Sequence, residues 1–147
     1  MRLCNGLFPA LLALLSFFSL SQSAIQCSDY SYENKGSLAS PTVADCEQLY
    51  WRIYRNHTFY VKDIQKQFGS YGKCKFGAQL DDDSIPHRFP PYQPFARMGA
   101  DDARAMIRYS IDNYRWVGED DVHRVGSKGR MLCANNTGNL WVEWGLY

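Results

Sequence analysis

Histidine is scarce in this sequence, with three residues among 147. His57, His87 and His123 are far apart in the chain, and none of them lies in an HExxH motif or four residues from another histidine. Zinc hydrolases build their metal site from such spacings. The sequence therefore predicts no metal site, and we expect His57 and His123 to be ordinary surface residues.

An excess of either charge is also missing. The chain carries 16 lysines and arginines against 15 aspartates and glutamates, a formal net charge of +1. Proteins that attract nucleic acid through their overall field carry a strongly basic domain or stripe. We therefore expect no nucleic-acid partner.

Internal repeats and low-complexity tracts are absent from the sequence, and a length of 147 residues has room for one domain. The one linker-like stretch is Asp81–Phe95, which contains four prolines. Proline is excluded from helix interiors and central strands. This stretch is predicted to be a long surface loop within the domain.

Long hydrophobic runs are confined to the N-terminus. Arg2 precedes the apolar run Leu7–Phe18, and the small and polar residues Ser19–Ala24 follow it. This order is typical of a secretory signal peptide, and the run is too short for a good membrane span. We predict a signal peptide over residues 1–23, a single secreted, extracellular domain over residues 24–147, and no stable membrane anchor.

Closely spaced cysteines are missing too. Loss of the signal peptide removes Cys4 and leaves Cys27, Cys46, Cys74 and Cys133, of which the nearest two are 19 residues apart. An even count without CxxC pairs predicts two disulfides rather than a zinc site. Three pairings are possible, and we favour Cys46–Cys133 with Cys27–Cys74, because the helix bearing Cys46 must pack on the sheet bearing Cys133.

Two sequons lie in the predicted mature chain, at Asn56-His57-Thr58 and Asn135-Asn136-Thr137. A glycan requires an exposed position. We predict Asn56 and Asn135 as glycosylation sites.

Two segments have helical periodicity. The first helix is predicted to begin at Thr42, with Asp45 as its capping-box partner, and its apolar stripe is Cys46, Leu49, Tyr50, Ile53 and Tyr54. The second begins after Gly99 and has the stripe Ala103, Met106, Ile107, Ser110, Ile111 and Tyr114. Its predicted solvent side is Arg104, Arg108, Asp112 and Arg115.

Most of the remaining chain is strand-like. Alternation predicts strands at Tyr71–Ala78, Phe59–Val61 and Val122–Val125, and a hairpin whose arms are Arg130–Ala134 and Leu140–Tyr147. The predicted fold class is α+β, a small antiparallel sheet with two amphipathic helices packed on one face and two disulfides. A killer-toxin-like sandwich is compatible with the same elements.

Three catalytic or binding chemistries can be compared with these residues. The stretch Ile85–Phe95 resembles the Tyr-Pro-His-x-Tyr neighbourhood of small secreted fungal ribonucleases, with His87 as one possible acid, but no glutamate base follows nearby. Two carboxylates that face each other across a cleft would indicate a glycosidase. Trp141 and Tyr147 share the outer face of the last strand and could stack on sugar rings, although aromatic core packing is the commoner use.

An ordered set of short motifs spans the mature chain from Cys27 to Tyr147. The set is Asp45-Cys46, Gly72-x-Cys74-x-Phe76, Gly126-x-x-Gly129-x-Met131-x-Cys133, and the closing Trp144-Gly145-x-Tyr147. It resembles the fungal secreted effector family that carries the necrosis-inducing factor domain, the homologues of the tomato leaf mould extracellular virulence protein. The proline-rich insertion Ser84–Phe95 and Lys73 depart from that pattern.

The resemblance implies a secreted virulence protein without known catalytic residues. In that family some members trigger plant cell death and some are fused to chitinases. We therefore expect a monomeric fungal effector, not an enzyme, with no cofactor, acting on a protein or cell-surface component of a host plant or rival microbe. The alternative is a small secreted ribonuclease-like or killer-toxin-like antifungal protein.

Overall fold

The computed structural model describes residues 25–85 and 93–147. The predicted signal peptide, and the part of the proline-rich loop that contains His87, lie outside these residues. Within the described residues the chain forms two α-helices, one short 3₁₀ helix and ten strands. The α+β class predicted from sequence is confirmed.

The strands and helices follow one another in a mixed order. Before the loop they are β1 (Cys27–Ser28), β2 (Glu33–Asn34), α1 (Val43–Arg52), β3 (Thr58–Val61), β4 (Lys66–Tyr71), β5 (Cys74–Leu80) and the 3₁₀ helix Asp82–Ser84. After the loop they are β6 (Ala96–Gly99), α2 (Ala100–Tyr114), β7 (Trp116–Val117), β8 (His123–Arg124), β9 (Ser127–Asn135) and β10 (Gly138–Leu146).

The main sheet is antiparallel and has the order β3-β6-β9-β10-β5-β4. The strands β1 and β2 pair with the edge of β9 that β10 leaves free. The Leu80 amide donates to the Lys62 carbonyl at 2.7 Å, which joins the end of β5 to the residue after β3. The two ends of the sheet thus come close together, and the sheet is nearly a barrel.

The hairpin of β9 and β10 is the one predicted from alternation. Leu140, Val142, Trp144 and Leu146 are all buried, as expected of one face of a strand. The predicted Tyr71–Ala78 strand is instead divided between β4 and β5, because Gly72 has φ +54° and forms the turn between them. Phe59–Val61 lies in the edge strand β3, and the Val122–Val125 region contributes β8 to a separate two-stranded sheet.

Helix α1 begins where the sequence predicts. The Thr42 hydroxyl accepts from the Asp45 amide at 3.1 Å, which satisfies one free donor of the first turn. The Asp45 carboxylate does not complete the expected capping box and instead accepts from the Lys73 amide at 3.0 Å. The helix ends at Arg52, so Tyr54 lies beyond it and is 85% exposed.

Helix α2 also matches its predicted bounds and apolar stripe, with one error. Arg104 is buried rather than solvated. Its Nη1 donates to the carbonyls of Tyr50 at 2.9 Å and Ile53 at 3.2 Å, and its guanidinium lies 4.1 Å from the centre of the Tyr50 ring. The C-terminal end of α1 carries free carbonyls and partial negative charge, which is what attracts this cation.

The predicted disulfide pairing is wrong. The bridges are Cys27–Cys133 and Cys46–Cys74. Cys27 pairs with Cys133 because β1 lies beside β9 with these residues in register. The helix bearing Cys46 packs on β4 and β5 rather than on β9, which brings Cys46 to Cys74.

We expect a non-reduced peptide map to contain Cys27 joined to Cys133 and Cys46 joined to Cys74. The bridges span 106 and 28 residues. Because a longer loop loses more entropy on closure, replacing both Cys27 and Cys133 by serine should cost about 1 kcal/mol more in urea denaturation than replacing Cys46 and Cys74. A peptide joining Cys46 to Cys133 would contradict this connectivity.

Replacement of Arg104 by lysine should lower the free energy of unfolding by about 1–2 kcal/mol, because lysine keeps the charge but loses the stacked, planar guanidinium. The matched control is Arg108→Lys, one turn later in α2, where the arginine is exposed and pairs with Asp112 at 3.1 Å. We expect that control to stay within about 0.5 kcal/mol of the wild type. Equal losses in the two variants would contradict the role given to Arg104.

Candidate functional site

An open cleft of about 790 Å³ lies over the outward face of strands β5, β9 and β10. We call it the outer-face cleft. The charged and amide side chains and one tyrosine that line it come from the strands, from the segment 31–41, from the residue before β4 and from the residue after β10: Glu33, Lys35, Gln65, Gln79, Lys128, Arg130, Glu143 and Tyr147. Because most of these residues are anchored in a sheet, the surface is rigid.

One wall of the cleft is the segment 31–41, which runs beside β9. The Ser31 amide donates to the Arg130 carbonyl and the Lys35 amide to the Gly126 carbonyl, both at 2.8 Å. The Glu33 carboxylate pairs with Lys35 and, at 3.5 Å, with Lys128. The hydrogen bond from Lys35, assisted by the charge of Lys128, lowers the pKa of Glu33. Glu33 is therefore a poor proton donor.

The floor of the cleft contains two glycines that face each other across β5 and β10. Gly77 and Gly145 are register partners. A Cβ on Gly145 would lie 3.3 Å from Cδ1 of Tyr147, and one on Gly77 would lie 2.8 Å from the Tyr147 hydroxyl. The Tyr147 ring thus lies across both strands in the space that two side chains would otherwise fill.

Tyr147 is held at both its backbone and its hydroxyl. Its amide donates to the Lys75 carbonyl at 3.0 Å, and its carbonyl accepts from the Lys75 amide at 2.6 Å. The hydroxyl accepts from Nε2 of Gln65 at 3.2 Å. The residue remains 43% exposed, so a fixed aromatic ring faces solvent.

Next to the two glycines, one row of register partners across β5, β10 and β9 is charged and polar, and we call it the polar row: Gln79, Glu143 and Arg130. The side-chain amide of Gln79 donates through Nε2 to Oε2 of Glu143 at 3.0 Å. Arg130, the register partner of Glu143 on β9, forms an ion pair with Asp81, and its guanidinium lies 5.1 Å from the Trp141 ring centre. The cationic side chains of the cleft thus have carboxylates beside them.

The proline-rich loop begins next to this row. The Asp81 amide donates to the Trp141 carbonyl at 3.0 Å, and the Ser84 hydroxyl lies 3.2 Å from the same carbonyl. The loop is thereby fastened to β10 at its start, while residues 86–92 lie outside the described part.

The sequence-predicted histidines are not brought together in the described residues. The His57 ring is exposed and packs on Phe59, with ring centres 4.8 Å apart, and His123 lies in β8. His87 falls within the residues that are not described. In residues 25–85 and 93–147 no group of three or more histidine, cysteine or acidic side chains could hold a metal ion.

Three short acidic stretches, residues 81–83, 101–102 and 119–121, have structural contacts. Asp81 accepts from the Asp83 amide at the start of the 3₁₀ helix, and Asp102 lies in the first turn of α2. Asp120 is bonded to Arg124 at 2.6 and 2.7 Å, and this hydrogen bonding lowers the pKa of Asp120 to about 2. None of these stretches supplies the outer-face cleft with a free acid–base pair.

The predicted aromatic and glycosylation positions are distributed over several surfaces. Trp141 and Tyr147 share the outer face of β10, as predicted, while Trp51 is 66% exposed at the end of α1. Asn56 lies in an exposed turn with φ +63°, and the Asn135 side chain accepts from the Thr137 amide at 3.2 Å at the end of β9. Glycosylation at Asn56 and Asn135 stays a prediction.

Several residues of the outer-face cleft were not identified from sequence. Glu33, Gln65, Gln79 and Glu143 are unremarkable polar residues in a linear reading. The available signal was the glycine in each of the motifs Phe76-Gly77 and Gly145-x-Tyr147, because a strand glycine marks a close approach. Only the register of β5 with β10 brings these glycines together.

The cleft wall is anchored to α2 by a buried carboxylate. Asp102 is 1% exposed and accepts three hydrogen bonds, from the amides of Gln26 and Gly99 at 2.8 Å and from the Tyr30 hydroxyl at 2.7 Å. Burial, with a further effect of Asp102, raises the pKa of Tyr30, so its hydroxyl stays protonated and able to donate. Asp102 thus ties the chain just before the wall to the start of the helix.

Replacement of Asp102 by alanine should lower the free energy of unfolding by about 3 kcal/mol or more, because it leaves the amides of Gln26 and Gly99 without their acceptor and leaves the Tyr30 hydroxyl with the Cys27 carbonyl alone. The matched control is Asp101→Ala in the same helical turn, which loses only an interaction with the helix dipole and should cost under about 1 kcal/mol. Thermal and urea unfolding measure both. A loss for Asp102→Ala no larger than the control would contradict the anchoring role.

The described residues contain no helix that is both long and apolar enough to cross a membrane.

Comparison with known proteins gives two matches. Residues 26–133, which include all four disulfide cysteines, match the family Hce2, described as "Pathogen effector; putative necrosis-inducing factor". A protein of Penicillium expansum named "Probable chitinase LysM18" is 33% identical over 128 residues. That alignment covers 86% of this chain but 8% of the relative, so this chain corresponds to a small part of that protein.

Proposed function

The chain belongs to the Hce2 family of pathogen effectors, and we propose that it is secreted by a fungus and acts on a component of a host plant or rival microbe by binding rather than by catalysis. The observation that carries the proposal is the outer-face cleft, a rigid concave surface with an exposed aromatic ring and paired charges. Concave sites with a few fixed polar groups are the usual places for ligands.

The contacts of Glu33 argue against this residue as the acid of a glycosidase. A glycosidase needs one carboxyl group that holds a proton at working pH, opposite a second carboxylate. Glu33 and Glu143 both line the cleft. The contacts with Lys35 and Lys128 that lower the pKa of Glu33 oppose the first role and suit a group that accepts hydrogen bonds.

Secretion is supported by the two disulfides and by the N-terminal sequence pattern. Disulfides persist in oxidising compartments and are rare in the cytosol. Both bridges are built into the core, with Cys46, Cys74 and Cys133 fully buried.

Hydrolysis of a polysaccharide is the second candidate function. It rests on the name of the P. expansum relative, in which this chain's counterpart is 8% of the length. Under the binding proposal, a catalytic activity of that relative would belong to another part of it, and the shared segment would supply recognition.

We expect the purified, oxidised protein to change cell survival or defence output when it is infiltrated between leaf cells, or to inhibit a competing fungus. A variant with His57, His87 and His123 all replaced by alanine should keep this response, because neither His57 nor His123 lines the cleft and the binding proposal gives no role to His87. RNA integrity and release of reducing ends from chitin should be unchanged by either protein.

A matched variant with Ile85–Phe95 shortened tests the contribution of the loop in the same assays. The proposal predicts a weaker response without any change in hydrolysis. RNA cleavage that disappears with His87→Ala would establish the ribonuclease alternative, and reducing ends released from chitin by the wild type would establish the hydrolase.

A further inference from the structure

We infer that Tyr147 and the polar row beside it form a subsite for one pyranose unit of an uncharged oligosaccharide in the outer-face cleft. The inference rests on the proposed function, since it names the class of component that the cleft would bind. It is carried by the arrangement of Tyr147, its glycine floor and the Gln79–Glu143 pair.

The first argument is the presentation of the ring. Ring atoms Cδ1 and Cε1 of Tyr147 lie over Gly145 and its hydroxyl lies over Gly77, while the residue as a whole is 43% exposed. A pyranose presents a patch of C–H groups on its ring face, which can cover an aromatic ring and remove both apolar surfaces from water. Because Tyr147 is fixed by Lys75 and Gln65, little side-chain entropy is lost when a sugar binds.

The second argument is the hydrogen-bonding row next to the ring. Glu143 and Gln79 lie two residues from Gly145 and Gly77 on the same face of their strands. Oε2 of Glu143 accepts from Gln79, while Oε1 has no partner among the described residues. A carboxylate oxygen beside a primary amide offers an acceptor and a donor, and each sugar hydroxyl can use both.

The third argument is charge. Lys35 and Lys128 have Glu33 between them, and Arg130 is paired with Asp81. An anionic polymer would have to compete with these carboxylates for the cations, and a neutral ligand would not. The geometry therefore favours an uncharged sugar over a galacturonan or a nucleic acid.

The size of the cleft agrees with an oligosaccharide. Its volume of about 790 Å³ lies within the range of sites that enclose ligands larger than a single small ring. Tyr147 would mark one position within a longer bound chain.

The test is titration calorimetry of the oxidised protein with a panel of short oligosaccharides. The uncharged probes are oligomers of N-acetylglucosamine, β-1,4-glucose and β-1,3-glucose, and the charged probe is oligogalacturonate. We expect saturable binding of at least one uncharged probe, with an affinity that changes little between low and high salt, because no ion pair is formed.

Four variants locate the bound sugar. Tyr147→Ala should weaken binding about tenfold or more, and Tyr147→Phe should keep it within about threefold, because stacking needs the ring and not the hydroxyl. Glu143→Ala should weaken binding through the polar row. The matched control is Tyr54→Ala, which removes a tyrosine that is 85% exposed outside the cleft and should leave binding unchanged.

Thermal unfolding of each variant shows whether it is folded. If Tyr147→Ala is unstable, the loss of sugar binding in Glu143→Ala still tests the subsite. Binding of oligogalacturonate alone, no binding of any uncharged probe, or binding that folded Tyr147→Ala and Glu143→Ala both retain would overturn the subsite. A leaf or antifungal response that persists without sugar binding would overturn the subsite while leaving the proposed function standing. Hydrolysis of a probe would overturn the proposed function.

Discussion

The carboxylate of Asp102 is the constraint on which the arrangement of the cleft depends. A buried charge is costly unless hydrogen bonds replace its water, and here the donors come from Gln26 and Tyr30 as well as from the start of α2. The need to satisfy one group therefore brings together two parts of the chain separated by more than seventy residues. Cys27 lies between Gln26 and Tyr30 in the chain, and its bridge to Cys133 fixes the same region to β9.

The consequence for the binding surface is that its two sides have different origins. The floor and the polar row belong to β5 and β10, paired over five residues of each strand. The wall, segment 31–41, has little strand structure of its own. It is held by its hydrogen bonds to β9 and by the contacts of Gln26 and Tyr30 with Asp102. A site supported in this way keeps its geometry better than one built on loops alone. The proline-rich loop, fastened at Trp141, adjoins this surface without forming its floor.

Local signals were sufficient for much of the fold. The Thr42 cap, the start of α2 after Gly99 and the hairpin face of β10 all depend on residues close in sequence. The disulfide pairing was beyond such reasoning, because it follows from β1 lying beside β9. The prediction that Arg104 faces solvent was wrong for a similar reason. Its partners are carbonyls at the end of another helix, and the periodicity of its own helix carries no information about them. The cleft itself depends on strand register, so sequence identified Tyr147 but not what surrounds it.

The position of the Cys27–Cys133 bridge also determines how the molecule would respond to proteases in its surroundings. The bridge joins β1 to β9, so the loop that it closes contains every helix and strand between them. A single backbone cut anywhere inside that loop, including the proline-rich stretch, leaves two pieces that are still covalently joined. The sheet can then hold the nicked halves in place, so that one cleavage need not end activity. The turn between β9 and β10 lies outside the loop, and a cut there would leave the last strand held by noncovalent contacts alone.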